Sequence, residues 1–175
     1  MVDLAVRRSW GAGWAATAHI AATILSLAAC ASAQGVRLHH PEPQPIPPFW
    51  TTAVEFADTH HDQYALRIPG TSRIEVSAAG DWLVGLHLDF EAEPAGQRAA
   101  QIRVYRDGEV VFSLSDNEVA NDHMATVVSL TDCLPLEAGD VLEARAFQNS
   151  GRDLRIESWG EPHQSPVFWA RRLSP

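Results

Sequence analysis

The stretch Arg73–Glu91, RIEVSAAGDWLVGLHLDFE, decides the fold. It reads as one strand, a tight turn at Ala79-Gly80 and a second, longer strand. In the second strand Trp82, Val84, Leu86, Leu88 and Phe90 fall on one face. Leu83, Gly85, His87 and Asp89 fall on the other. Large apolar residues at strict period two describe a strand with one face in a core and the other turned to more polar surroundings.

Working outward, short β-type segments recur with turn residues between them from residue 51 to the end. Thr51–Phe56 and Tyr64–Ile68 precede the quoted stretch, and Pro69-Gly70 marks a turn. After it, Ala99–Arg106 runs into Asp107-Gly108, the strongest hairpin signal in the chain, and Glu109–Ser115 returns. Asp116–Asp122 is read as a polar loop, followed by strands at His123–Leu130, Val141–Phe147, Leu154–Trp159 and Val167–Leu173. About nine or ten strands at regular spacing with no helical period predict an all-β fold, an antiparallel sandwich or jelly roll. Crossover helices for a parallel sheet are missing.

Residues 35–50 hold Pro41, Pro43, Pro45, Pro47 and Pro48. Proline at this density favours polyproline II, so the segment is expected to be a spacer, or stalk, of roughly 3 Å per residue. Residues 1–34 fit two descriptions. Arg7 and Arg8, a weakly apolar stretch, Leu27–Cys30 and Ala31-Ser32-Ala33 follow the order of a secretory or lipoprotein signal. Trp14, Thr17, His19, Thr23 and Ser26 dilute that stretch where it should be most apolar, and no run is long enough to span a membrane. Alternatively, Ile20, Ile24 and Leu27 make the narrow apolar stripe of a short helix that needs a host surface to cover it. The expected division is therefore 1–34 anchor, 35–50 linker and 51–175 head.

The 175-residue chain carries a formal charge of −9 and no lysine. A nucleic-acid footprint needs a basic face, so nucleic acid is not an expected partner. Cys30 and Cys133 match neither a disulfide framework nor a zinc pattern. Among the eight histidines, His60-His61-Asp62 and His39-His40 are the metal-like pairs, and the second is expected to be solvated in the spacer. Adjacent histidines on a strand point to opposite faces, so a hydrogen-bonded loop is the simpler reading and no metal or cofactor is expected. Phosphate loops, nucleophile elbows and zinc-protease helices are absent from the sequence, so no enzymatic activity is expected.

Two resemblances add to this. Trp10-x-x-Gly13-x-x-x-Thr17-Ala18 resembles the opening of minor tail and virion proteins of tailed phages of actinobacteria; the asparagine common in that motif is missing here. From residue 51, Phe56, Asp58 and Asp62 open a series of signals. Ile74–Val84, Arg98–Gly108, Leu134–Leu142 with its Gly139-Asp140, and Ser150–Ile156 follow in order. That order is similar to the jelly roll of the tumour necrosis factor and complement globular-head family. The resemblance implies a homotrimer, with Leu83, His87, Trp159 and Trp169 as expected interface residues. The resemblance of the Trp10–Ala18 opening implies a virion structural protein, in a minor tail or a capsid decoration, attached to other virion proteins through residues 1–50. The host-facing partner would be a cell-surface glycan or protein. A secreted or lipid-anchored bacterial adhesion protein with the same head is the alternative.

Overall fold

A computed structural model describes residues 34–92, 95–120, 124–158 and 166–173. These hold twelve strands: β1 (Gly35–His39), β2 (Gln44–Ile46), β3 (Thr52–Ala53), β4 (Asp58–Asp62), β5 (Arg73–Glu75), β6 (Gly80–Phe90), β7 (Gly96–Arg106), β8 (Glu109–Ala120), β9 (Thr126–Leu136), β10 (Val141–Gln148), β11 (Leu154–Ile156) and β12 (Val167–Arg172). The expected anchor residues Trp10, Gly13, Thr17, Ala18, Ile20, Ile24 and Leu27 lie outside the described residues, as does Trp159.

The strands form two antiparallel sheets packed face to face. One sheet runs β4-β1-β12-β6, with β9 on the far side of β6 and β11-β2 continuing beyond β12 at the end of β6. The other runs β3-β10-β7-β8, with β5 also on β10. All strand pairs are antiparallel, as the alternating pattern predicts.

β6 is the central strand of the first sheet. Its residues Trp82, Val84, Leu86, Leu88 and Phe90 are all buried, at 0–1% exposure, against Ile102, Val104, Leu142 and Ala144 of the opposite sheet. The indole Nε1 of Trp82 donates to the carbonyl of Ala78 at 3.1 Å, which satisfies its polar atom inside an apolar core. Asp107 adopts φ 53° and Gly108 φ 85°, the left-handed pair expected of a tight hairpin turn.

Three expectations need correction. Residues 35–50 are not a spacer: β1 inserts between β12 and β4, with Val36 and Leu38 in the core, and β2 pairs with β11. His39 and His40 are accordingly buried rather than solvated. The head therefore begins at residue 34. Pro45 is tolerated because β2 is an edge strand, where a missing N–H breaks no ladder. His60 and His61 stand on β4, not in a loop. The segment Asp116–Ala120 is also not a loop, since β8 continues through it opposite Gly96–Ala100.

Chain direction gives the sandwich two distinct ends. Residue 34 enters beside Arg172 and the Ala79-Gly80 turn; the backbone carbonyl of Gln34 accepts from Arg172 N at 2.8 Å. The turns at 137–140 and 107–108 lie at that same end, as the strand registers require. The C-terminal end of β10, with the turn at 149–153, lies at the opposite end. Eight residues of β10 separate the two, roughly 26 Å at strand rise.

Candidate functional site

The outward face of the first sheet follows from the alternation of β6. With Trp82 to Phe90 inward, Leu83, Gly85 and His87 turn outward, and the register sets their neighbours in rows. One row is Thr131, Gly85, Trp169, Arg37 and His61. A second is Ser129, His87, Val167, His39 and Asp58, and a third is Cys133, Leu83, Arg171 and Gly35. Phe168 and Ala170 face the core, so Trp169 between them must face out.

The indole of Trp169 covers Gly85. A Cβ on residue 85 would stand 2.3 Å from Trp169 Cε2 and Cζ2, so the ring can lie across the strand only because residue 85 has no side chain. His87 is exposed, and its Nδ1 sits 2.7 Å from Ser129 Oγ. His39 is nearly buried, with Nε2 3.6 Å from Asp58 Oδ2. Arg37 and Arg171 bring positive charge to this face.

One flank of the sandwich is formed by two sheet edges, β8 of one sheet and β9 of the other. Val110, Val111 and Phe112 are 46–50% exposed, and Val127 on β9 is 48% exposed. Between the edges is an open cleft of about 270 Å³ whose lining includes Leu114, Leu130, Asp116 and Asp132. Both aspartates are exposed. An uncovered pair of sheet edges carrying apolar side chains is unusual on an isolated domain and marks a contact surface.

A second, larger cleft of about 700 Å³ lies between residues 40–42, 53–57 and 70–73. His40 on its wall is 6% exposed and packs edge-on to Phe56, with ring centroids 6.4 Å apart. Neither ring nitrogen has a hydrogen-bond partner among the described residues. Burial pushes its pKa below the usual imidazole range, against the opposing pull of Glu55 and Glu42. Arg67 on the same wall binds the carbonyls of Thr71, Ala57 and Phe56, which makes it a brace for this loop.

Beside this cleft, on the outward face of the second sheet, Glu143 is clamped. It accepts from Arg145 Nη1 at 2.6 Å, Arg73 Nε at 2.7 Å and Tyr105 Oη at 3.1 Å. Burial pushes its carboxyl up, but these three donors outweigh burial and hold it below the usual range. Asp140 is held low chiefly by the Arg106 guanidinium, and its Oδ2 also accepts the Glu137 amide. Each pair joins neighbouring strands or the turn leading into β10, so both are structural.

Of the residues singled out from sequence, Leu83, His87 and Trp169 share one outward face. His60, His61 and Asp62 do not converge on a site. Both Asp62 oxygens cap the following turn, accepting Leu66 N at 2.7 Å and Arg67 N at 2.9 Å. Sequence reasoning passed over the apolar β8 edge, although consecutive Val110-Val111-Phe112 on a strand that cannot bury both faces was the available signal.

Neither a protein-family model nor a curated protein matches the chain. Solved structures do match. The globular domain of the zebrafish complement 1qA protein superposes with TM-score 0.58 at 17% identity, over 81% of this chain and 98% of that one. Murine APRIL at pH 5.0 gives TM-score 0.60 at 12% identity, over 81% and 100%. Eiger TNF from S. frugiperda gives 0.57 at 11%, over 81% and 93%. The fold is thus the jelly roll of these proteins, carried by a sequence that has little else in common with them.

Proposed function

We propose that the chain is a non-enzymatic structural protein of a phage particle whose jelly-roll head self-associates as a homotrimer. The contact is heterologous: the β8/β9 edge of one copy seats on the outward face of the β4-β1-β12-β6 sheet of the next. A rotation that closes such a contact after three copies yields a ring in which every β8/β9 edge is covered.

The observation that carries this reading is the complementarity of the two surfaces. The edge offers Phe112 and Val127 with the carboxylates of Asp116 and Asp132. The face offers Leu83 and Trp169 with the guanidiniums of Arg37 and Arg171. Apolar groups meet apolar groups, and unlike charges fix the register. The likeness in fold to the complement and tumour necrosis factor heads supports the same arrangement. Placement in a virion, first as a minor tail protein and second as a capsid decoration, rests on the resemblance of Trp10–Ala18 to virion openings.

Three heads on one axis would multiply weak contacts to an outside surface. Light scattering on the full chain tests the association. Mass spectrometry of purified particles tests the placement: the chain present with residues 1–34 retained supports it, and a chain found only outside particles, or lacking its leader, overturns it.

A further inference from the structure

The end of the sandwich opposite residue 34 carries Phe49 and Trp50, at 64% and 72% exposure the most exposed aromatics among the described residues. Two adjacent exposed rings form a contiguous apolar patch, which is more informative than a single exposed side chain. Three features mark the turn as built. Phe49 sits at φ 65°, in the left-handed region that an ordinary side chain adopts only at a cost in free energy. The turn is also rigid. Phe49 N donates to the Gln148 carbonyl at 2.8 Å. The side chain of Gln148, 0% exposed, donates to the carbonyls of Ile46 and Arg152 and accepts from Ser150 N and Oγ, so all its capacity goes into stapling the two segments together. Finally, Pro47 and Pro48 precede the rings and limit the backbone freedom of the approach.

From this we infer that the Phe49–Trp50 turn is a binding platform for a neutral carbohydrate, which names the chemistry of the outside surface in the function proposed above. The faces of pyranose rings present C–H bonds with partial positive charge, which match the negative face of an aromatic ring. At their observed exposure the two rings offer roughly 200–350 Å², which suits a few sugar residues and falls short of the roughly 800 Å² per partner that a stable protein interface uses. Residues 43–51 contain no charged side chain, and the adjoining turn 149–153 contributes one of each sign, Arg152 and Asp153. Asn149 holds its Oδ1 on the Gln97 amide at 2.7 Å, which leaves its –NH₂ to donate to a sugar hydroxyl. A membrane surface fits less well, because a protein of charge −9 without lysine is repelled by anionic lipid.

The test is native affinity electrophoresis of the full chain in gels containing dextran, mannan or arabinogalactan. Alginate serves as the acidic control, and sedimentation with phosphatidylcholine vesicles runs alongside. At least one neutral polysaccharide should retard the protein and alginate should not. Trp50→Ala and Phe49→Gly should each weaken retardation at least tenfold. Phe49→Gly should leave the melting temperature unchanged or raised, since glycine adopts this backbone without strain, and this separates loss of the ring from loss of the fold. No retardation by any neutral polysaccharide, equal retardation of the variants, or vesicle binding abolished by Trp50→Ala would each overturn the proposal. Solution mass is read independently of these gels, so a failure here and a failure of self-association are distinguishable.

Discussion

Trp169 and Gly85 are interlocked across β12 and β6: the indole occupies the space a Cβ on residue 85 would need, 2.3 Å from its ring carbons. This fixes a large aromatic flat on the surface through which the head is proposed to associate.

Gly85→Ala should therefore displace the indole and lower stability by about 1–3 kcal/mol through overpacking. Trp169→Ala alone should weaken association more than folding. The double variant should be more stable than the sum of the single effects predicts, because the clash has gone. Thermal unfolding of the three proteins checks this, and strict additivity would contradict the interlock.

The two faces of β6 should respond differently to adjacent substitutions. Leu86 is 1% exposed in the core, so Leu86→Asp places an unpaired charge there and should cost about 3–5 kcal/mol, enough to unfold the head. His87 is exposed and is hydrogen-bonded to Ser129, so His87→Ala should change unfolding free energy by less than about 1 kcal/mol. Circular dichroism on heating separates the two.

How much of this was legible beforehand depends on where each side chain finds its partner. The inward set Trp82–Phe90 and the Asp107-Gly108 turn were readable, because period two and a left-handed turn are local properties. The all-β antiparallel class followed from the spacing of such strands, and the jelly roll from the resemblance of the motif order. β1 and β2 were hidden because prolines outweighed the apolar Val36, Leu38 and Ile46 around them; only the long-range pairing with β12 and β11 shows that these residues are core. Asp116–Ala120 looked like a loop because an edge strand needs no apolar alternation. The clamp on Glu143 joins Arg73 to a residue 70 positions away and leaves no local trace. Arg98, 0% exposed at the end of the core, is equally unreadable from its neighbours.

On the flank, Phe112→Glu and Val127→Glu should each reduce association while leaving the melting temperature of the isolated head within a few degrees. Both side chains are about half exposed, so little core packing is lost. A carboxylate added at residue 127 would also stand opposite Asp89 in the register and raise local repulsion. Sedimentation velocity on each variant reads the change directly.

Acid should destabilise the head in two stages. His40 has its folded pKa below the unfolded 6.5, so its neutral form stabilises the fold fully above pH 6.5. That contribution is lost as pH falls below 6.5 toward the folded value, with a slope of at most ~1.4 kcal/mol per pH unit. Asp140 and Glu143 have folded values below their unfolded 3.8 and 4.5. Their contributions are present above those values and are lost at lower pH, as it falls through the folded pKa of each. Denaturant titrations from pH 7.5 to 3 check both stages. His40→Phe should remove the upper stage and leave the lower one.

Self-association is the central claim, and the solution mass of the full chain tests it most directly. Light scattering at micromolar concentration should give three times the 19.1 kDa of one chain, falling toward a single chain for Phe112→Glu. A mass of 19.1 kDa for the unaltered protein would contradict the account.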